Sequence, residues 1–284
     1  MKGGGEVQEL NLLFVIDDGY VDQLKVTLYS IQQELGEKKV AIYLMQKESL
    51  AREEELATYC QGLGYSYHPV VVGNQIFKDA PTTDRYPDTI YYRLLAQEFL
   101  PQDLERILYL DADILCLNDF TSLYQMEMGT ALYAAASHNA DGDILDFVNK
   151  LRLQNFEMES SYFNTGVLLM NLTAIREAVE RQAILDYIAK NKNFLILPDQ
   201  DVLNGLYADR VLALPDEIYN YDARYSMLYQ ARSNNQWDLD WVIANTVFLH
   251  FAGRDKPWKA GYRSRYAGLY KYMAKKARER VDRV

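Results

Sequence analysis

With 284 residues, 49% of them hydrophobic, the chain can bury a large core as one domain or as one domain with appendages. A charged fraction of 25% argues against wholesale disorder, and a net charge of −10 argues against nucleic acid as a partner. No apolar run reaches the roughly 20 residues of a membrane span, MKGGGEVQEL lacks a signal-peptide layout, and two cysteines without framework or metal spacing fit a reducing cytoplasm.

Taken in chain order, residues 10–16 (LNLLFVI) read as a fully buried first strand closed by Asp17, Asp18 and Gly19. Val21, Leu24, Leu28, Ile31 and Leu35 recur at steps of three and four, which predicts an amphipathic helix ended by Gly36. A second strand is expected over 39–45, a helix over 48–60 and a third strand from Tyr65 to Val72. The stretch Gly73–Pro87 is polar and long for a connection, so residues 74–87 read as a lid. Asp88 is expected to cap a helix carrying Tyr91, Tyr92, Arg93, Leu94, Leu95 and Phe99. Further strands are expected at Ile107–Leu110, Ala131–Ala136, Val167–Met170 and Thr246–Phe251, with helices over 173–190 and 201–207 and a polar insertion from His138 to Ser161. Strands alternating with helices predict an α/β fold, a mostly parallel sheet flanked by helices. The catalytic domain is expected over 1–258 and a basic tail over 259–284. That tail holds nine Lys or Arg against Glu279 and Asp282, a net +7 against −17 for the remainder.

The candidate chemistry begins at RILYLDADILCL. Four D-x-D triplets occur, but only Asp111-Asp113 directly follows a run that reads as a buried parallel strand. Ligands of open α/β sheets bind at the carboxyl ends of strands. Two carboxylates beside a core are tolerable with a cation between them, or where the strand tip meets water. Hard divalent cations favour such oxygens, and Mn²⁺ also accepts imidazole, which His250 of FLHFAG supplies. The glycine and lysine that follow it suit a diphosphate. Each residue also has a plain structural role open to it. Asp17 or Asp18 can cap the next helix, Asn164 can be a turn residue, Asp199 can cap helix 201–207, Arg93 can be a surface ion pair and His250 a bonded core histidine.

LYLDADIL, YFNTGVLLMNL, PDQDVLNGLY and LHFAGRDKPW, together with FVIDDGY, resemble glycosyltransferase family 8 in sequence, order and spacing from about Leu12 to Trp258. The resemblance implies a Rossmann-like nucleotide-sugar-binding domain of GT-A type and transfer of galactose or glucose from a UDP-sugar to a saccharide acceptor. It further implies retention of anomeric configuration and dependence on Mn²⁺, with Mg²⁺ as the alternative ion. Asp111, Asp113 and His250 match the metal ligands. Val15, Ile16, Asp17 and Tyr20 fall where the family holds uracil and ribose, and Ala112 joins them among the donor-binding residues. Gly253 and Lys256 match the diphosphate clamp, Arg93 an arginine near the donor, and Asn164 and Thr165 the contacts to the donor sugar. Asp199 and Gln200 fall beside the anomeric carbon, so Gln200, Asp199 and Asn164 are the expected catalytic set. Gly19 stands where related bacterial enzymes often hold Asn, and His138 or Asn139 lies near a sugar-contacting Asp of some relatives. Both departures bear on which hexose is used.

Other readings differ in what they require. A self-glucosylating, glycogenin-like enzyme would modify a tyrosine of its own, and a non-catalytic UDP-sugar-binding subunit would show no turnover. Haloacid-dehalogenase phosphatases also place D-x-D after a strand, but continue with Gly-Thr where Ile114-Leu115 stands here. On a helical wheel Tyr262, Tyr266, Leu269, Tyr270 and Met273 share one face of the tail, opposite Lys271, Lys275 and Arg278. That pattern predicts a cytoplasmic protein held peripherally on an anionic membrane, tyrosines toward lipid, with a helix packed on the domain and solvated on its outer face as the alternative. Residues 252–258 are expected to close over the diphosphate together with 74–87.

Overall fold

Strand β1 (Leu10–Val15) alternates between two cores, with Leu12 and Phe14 on one face and Leu13 on the other. An unbroken apolar run produces this when both faces of a sheet are covered by helices. The structure is a computed structural model that describes residues 9–82, 87–137 and 162–281. The other strands are β2 (Val40–Gln46), β3 (Ser66–Val71), β4 (Arg106–Leu110), β5 (Ile114–Cys116), β6 (Tyr133–Ser137), β7 (Phe163–Asn171), β8 (Val211–Leu214), β9 (Tyr221–Asp222) and β10 (Phe248–His250). Seven form the main sheet in the order β3-β2-β1-β4-β7-β6-β8. All its neighbouring pairs are parallel except those made by β7, which runs antiparallel to β4 and β6. The expected α/β architecture, a mostly parallel sheet flanked by helices, is the one found.

The aspartate pair lies at a change of sheet. β4 ends at Leu110, and after Asp111, Ala112 and Asp113 the chain enters β5 of a second sheet, ordered β5-β10-β9. The first helix, Val21–Leu35, pins this crossing: the Thr27 hydroxyl lies 3.0 Å from the Ala112 carbonyl and 2.8 Å from that of Ile114. Phe251 N–H donates to the Asp113 carbonyl at 3.0 Å, tying the strand that carries His250 to the same turn.

Several elements depart from expectation for physical reasons. The segment after the polar loop is a 3-10 helix, Asp88–Glu98, entered from Pro87, and Asp88 pairs with Lys47 at 2.7 Å instead of capping it. The helix expected over 173–190 is two, Leu172–Ala178 and Arg181–Asn191, because Val179 is extended (φ −99°, ψ 111°). The break rotates the second helix, so Ile184 and Ile188 are buried and Ala183 is exposed. The helix expected over 48–60 begins at Glu53, its start held by Asp18, which accepts from Ala51 N–H (3.2 Å) and Arg52 N–H (3.1 Å). Asp17 instead accepts from Gly19 N–H at 2.9 Å. The polar insertion, with His138 and Asn139, lies outside the described residues, as do residues 83–86 of the expected lid.

The tail takes the packed form. It forms the helix Ala267–Val281, which packs against the first helix, with Tyr266, Tyr270 and Ala277 buried in a cluster shared with Leu115, Tyr221 and Phe251. Tyr266 and Tyr221 hydroxyls bond at 2.8 Å, and the Tyr270 ring meets Phe251 edge-on at 5.4 Å. The tyrosine face expected to meet lipid is therefore occupied by the domain. Tyrosine area of this size is buried more favourably against a preformed apolar patch than left in water. Lys271, Tyr272, Lys275 and Arg278 face outward.

Candidate active site

The ends of β4, β7 and β10, the segment after β10, the 3-10 helix Asp88–Glu98 and the first turn of the helix Pro198–Tyr207 bring nine of the expected residues into one connected cluster. Asp111, just past β4, accepts from Arg93 Nη1 at 3.1 Å and from the Tyr109 hydroxyl at 2.5 Å. His250, ending β10, places Nε2 3.1 Å from Asp113 Oδ1 and 3.6 Å from Asp111 Oδ2. Lys256 pairs with Asp113 and also donates to the Phe251 carbonyl at 3.0 Å. Asp111, Asp113 and His250 each offer one ligand atom, all within 4.8 Å of one another. Two carboxylates and one imidazole at that separation fit a single divalent cation that accepts oxygen and nitrogen donors.

The electrostatics follow from burial. Burial alone would raise the pKa of Asp113, but the charges and hydrogen bonds of His250 and Lys256 outweigh it and hold the group well below the carboxylate range. Burial would lower His250, and Asp113 and Asp111 raise it above its ordinary value. A proton and a metal cation therefore compete for the same imidazole. Asp199 is raised, because its burial outweighs Arg93 and the Thr165 hydroxyl, which donates to Asp199 Oδ2 at 2.9 Å.

Arg93 is almost fully buried, its guanidinium 4.1 Å above the Tyr109 ring. Its Nη1 reaches Asp111, the Thr165 carbonyl (3.0 Å) and Asp199 Oδ2 (3.4 Å), so it joins the two carboxylates across the floor of the site. A surface ion pair is thereby ruled out. Asn164 Oδ1 accepts from Gly166 N–H at 2.9 Å, and its Nδ2 donates to Gln200 Oε1 at 3.1 Å. The helix carrying Gln200 starts earlier than expected, with Pro198 in its first turn. Asp199 is not its cap, while Asp201 accepts from the backbone N–H of Ile196 (2.7 Å) and Leu197 (3.0 Å).

The residues expected to hold the nucleoside stand at the end of the neighbouring strand. Ile16 is buried, Val15 is half-buried, and Asp17 and Tyr20 are exposed. Tyr20 meets Trp258 edge-on at 5.9 Å, which brings the end of β1 to the segment after Lys256. Ala112 is buried and uses its carbonyl on Thr27. Gly253 has φ +93°, a conformation that favours glycine, and lies against Arg224, which is held bidentately by the buried Asp222. A cavity of about 770 Å³ between the first helix and the C-terminal helix contains none of these residues.

Sequence reasoning missed Gly166, Asn220 and Tyr109. A β-carbon on Gly166 would come within 2.5 Å of His250 Cε1 and 2.9 Å of Asp111 Oδ2, so only glycine leaves room for the cluster. Its place directly after Asn164-Thr165 was the available signal. Tyr109 looked like any core position of β4, and Asn220 sits in an aromatic stretch, IYNYD, that gives no hint of a site.

The geometry agrees with the comparisons to known proteins. Residues 11–261 match the model of glycosyl transferase family 8. A lipopolysaccharide 1,2-glucosyltransferase of Escherichia coli is 27% identical, and a lipopolysaccharide 1,3-galactosyltransferase of Salmonella typhimurium 24%; in each case 89% of this chain and 74% of the relative are covered. The solved structure of the galactosyltransferase LgtC with donor and acceptor sugar analogues superposes with a TM-score of 0.78 at 22% identity, covering 94% of this chain and 96% of that one, which shows the GT-A fold. The family match, spanning nearly all of the described sheet and every strand end in the cluster, settles the class: the chain belongs to glycosyl transferase family 8 and is a glycosyltransferase.

Proposed function

We propose that the protein transfers galactose or glucose from a UDP-sugar to a saccharide acceptor, with retention of anomeric configuration and Mn²⁺ at Asp111, Asp113 and His250. The observation that carries this reading is the meeting of that donor set with Lys256 on one side and the Asn164–Gln200 amides on the other. The names of the lipopolysaccharide glucosyl- and galactosyltransferases favour these two hexoses and a glycan or glycolipid acceptor. When bound, the cation neutralises charge on the diphosphate as the sugar leaves.

The chain's own residues do the rest. Lys256, already beside Asp113, turns to the departing β-phosphate, and the backbone at Gly253 lets that phosphate approach closely. Asp17 and Tyr20, exposed at the end of β1, hold the ribose and uracil with Val15, Ile16 and Ala112. Thr165 and Asn164 position the sugar, and Arg93 keeps Asp111 and Asp199 at fixed separation. Asp199 is engaged by Thr165 and Arg93, which does not suit it to attack carbon. The reading is therefore front-face transfer: the C1–oxygen bond to UDP breaks, the acceptor hydroxyl bonds to C1 on the same face, and its proton passes to the leaving phosphate. Gln200 lends amide dipole to the cationic sugar centre.

A screen of UDP-sugars for hydrolysis, with Mn²⁺ and with excess EDTA, tests the reading. Turnover of UDP-glucose or UDP-galactose that EDTA abolishes is expected. Full turnover in EDTA would remove the metal assignment, and turnover of neither hexose donor would remove the donor assignment.

A further inference from the structure

Asn220 is fully buried, between the short helix Asp216–Tyr219 and β9, and both ends of its amide are committed. Its Oδ1 lies 2.8 Å from His250 Nδ1, and its Nδ2 lies 2.8 Å from Asn164 Oδ1. β9 runs parallel to β10 with Asp222 opposite His250, so Asn220 and the imidazole lie along the same pair of strands. The protons of this network follow from one unambiguous donor. The backbone N–H of Gly166 points at Asn164, so the atom of Asn164 it meets is an oxygen. That oxygen needs a nitrogen opposite it, so Asn220 presents Nδ2 there and its oxygen to His250. His250 therefore carries a proton on Nδ1, which leaves Nε2, facing Asp111 and Asp113, as the nitrogen that a cation takes in place of a proton. In the other direction Asn164 must point Nδ2 at Gln200, which fixes the Gln200 oxygen toward Asn164.

We infer that Asn220 is the positioning residue of the site: one amide sets the metal-binding tautomer of His250 and, through Asn164, the orientation of Gln200 at the sugar. The inference rests on the metal reading above. It makes the metal end and the sugar end of the cleft one hydrogen-bonded unit, with residues 164, 200, 220 and 250 drawn from four separate segments of the chain.

The two arms separate by substitution. Asn220→Leu removes both. Asn220→Asp keeps an oxygen to accept from Nδ1–H but has no N–H for Asn164. Mn²⁺ is titrated calorimetrically into the metal-free full chain without donor, thermal melts check the fold, and hydrolysis of UDP-glucose and UDP-galactose gives turnover. Asn220→Leu is expected to weaken Mn²⁺ binding about tenfold or more, as loss of an outer partner of a ligating histidine does, and Asn220→Asp to stay within about threefold of wild type. Both should lose about tenfold in kcat or more, because neither can donate to Asn164. Wild-type Mn²⁺ affinity in Asn220→Leu, or full turnover in Asn220→Asp, overturns the inference. If Asn220→Leu does not fold, Asn220→Asp decides: Mn²⁺ affinity kept with turnover lost supports the inference, and Mn²⁺ affinity lost overturns it. A wild-type chain that binds no Mn²⁺ overturns the metal reading instead.

Discussion

Gly166 has no chemistry of its own, yet it is the residue least replaceable in the site. Gly166→Ala should push His250 and Asp111 apart, since the added carbon would overlap the imidazole edge, and should cut Mn²⁺ affinity and turnover by roughly 100-fold, the upper end of the effects seen when a ligand is displaced. Calorimetry and initial rates would check this, and near-normal values for both would contradict it. Asp199 offers the opposite case. Its pKa is raised by burial, so ionised Asp199 costs stability at neutral pH, a cost relieved as pH falls through its folded value. Asp199→Asn should melt at or above the wild-type temperature while losing about tenfold or more in kcat, because Arg93 then answers to Asp111 alone. A melting temperature well below wild type would show the carboxylate to be a net stabiliser. At this scale sequence reading found the cluster of Asp111, Asp113 and His250 and the residues around it, because an aspartate pair after an apolar strand departs from a core pattern. It missed Gly166 and Asn220, whose roles exist only once strands distant in sequence lie side by side.

At the scale of elements, the strands of the main sheet were largely legible because apolar runs bounded by turn residues leave little choice. β5, β8 and β9, of two to four residues, were not, and neither were the helices Ser226–Arg232 and Leu239–Asn245, which at seven residues each are too short to display a period. The break at Val179 was also invisible: two helices in sequence carry the same apolar residues as one. The C-terminal helix shows the limit of helical-wheel reasoning, since an amphipathic face names no partner. With its tyrosines in the core, truncation after Gly261 should destabilise the whole domain. Tyr270→Ala alone should cost about 3 kcal/mol, the usual scale for removing a buried aromatic, and lower Tm by several degrees. Tyr266→Phe, which loses only the hydroxyl bond to Tyr221, should cost about 1 kcal/mol. Thermal melts would measure all three, and an unchanged Tm on truncation would mean the helix contributes nothing to the fold.

For the molecule as a whole, the site lies where two sheets meet, so a donor bound there would touch both. Residues 73–81 are anchored: Phe77 is buried against the Tyr91 and Tyr92 rings, and their hydroxyls donate to the carbonyls of Pro81 and Gly73. Hydrogen exchange with and without UDP and Mn²⁺ should therefore show added protection at residues 252–258, which follow His250 and include Lys256, and little change around Phe77. Equal change in both segments would restore a two-part lid, and no change in either would remove closure altogether.

Asn220, Asn164 and Gln200 are all neutral amides, and a carboxylate cannot replace the N–H that Asn220 passes to Asn164 or the one that Asn164 passes to Gln200. Side-chain amides are among the groups that hydrolyse on prolonged heating. Conversion of Asn164 or Asn220, which replaces the amide NH2 by an oxygen and adds one negative charge, would leave the sheets in place, cost some stability as a buried charge, and remove a donor at the centre of the cleft. Preparations kept warm should thus lose turnover before they lose structure, and peptide mass analysis of the aged protein should find a one-dalton gain at position 164 or 220 in step with the loss. Covalent ageing of these side chains would then end activity in chains whose fold is still in place.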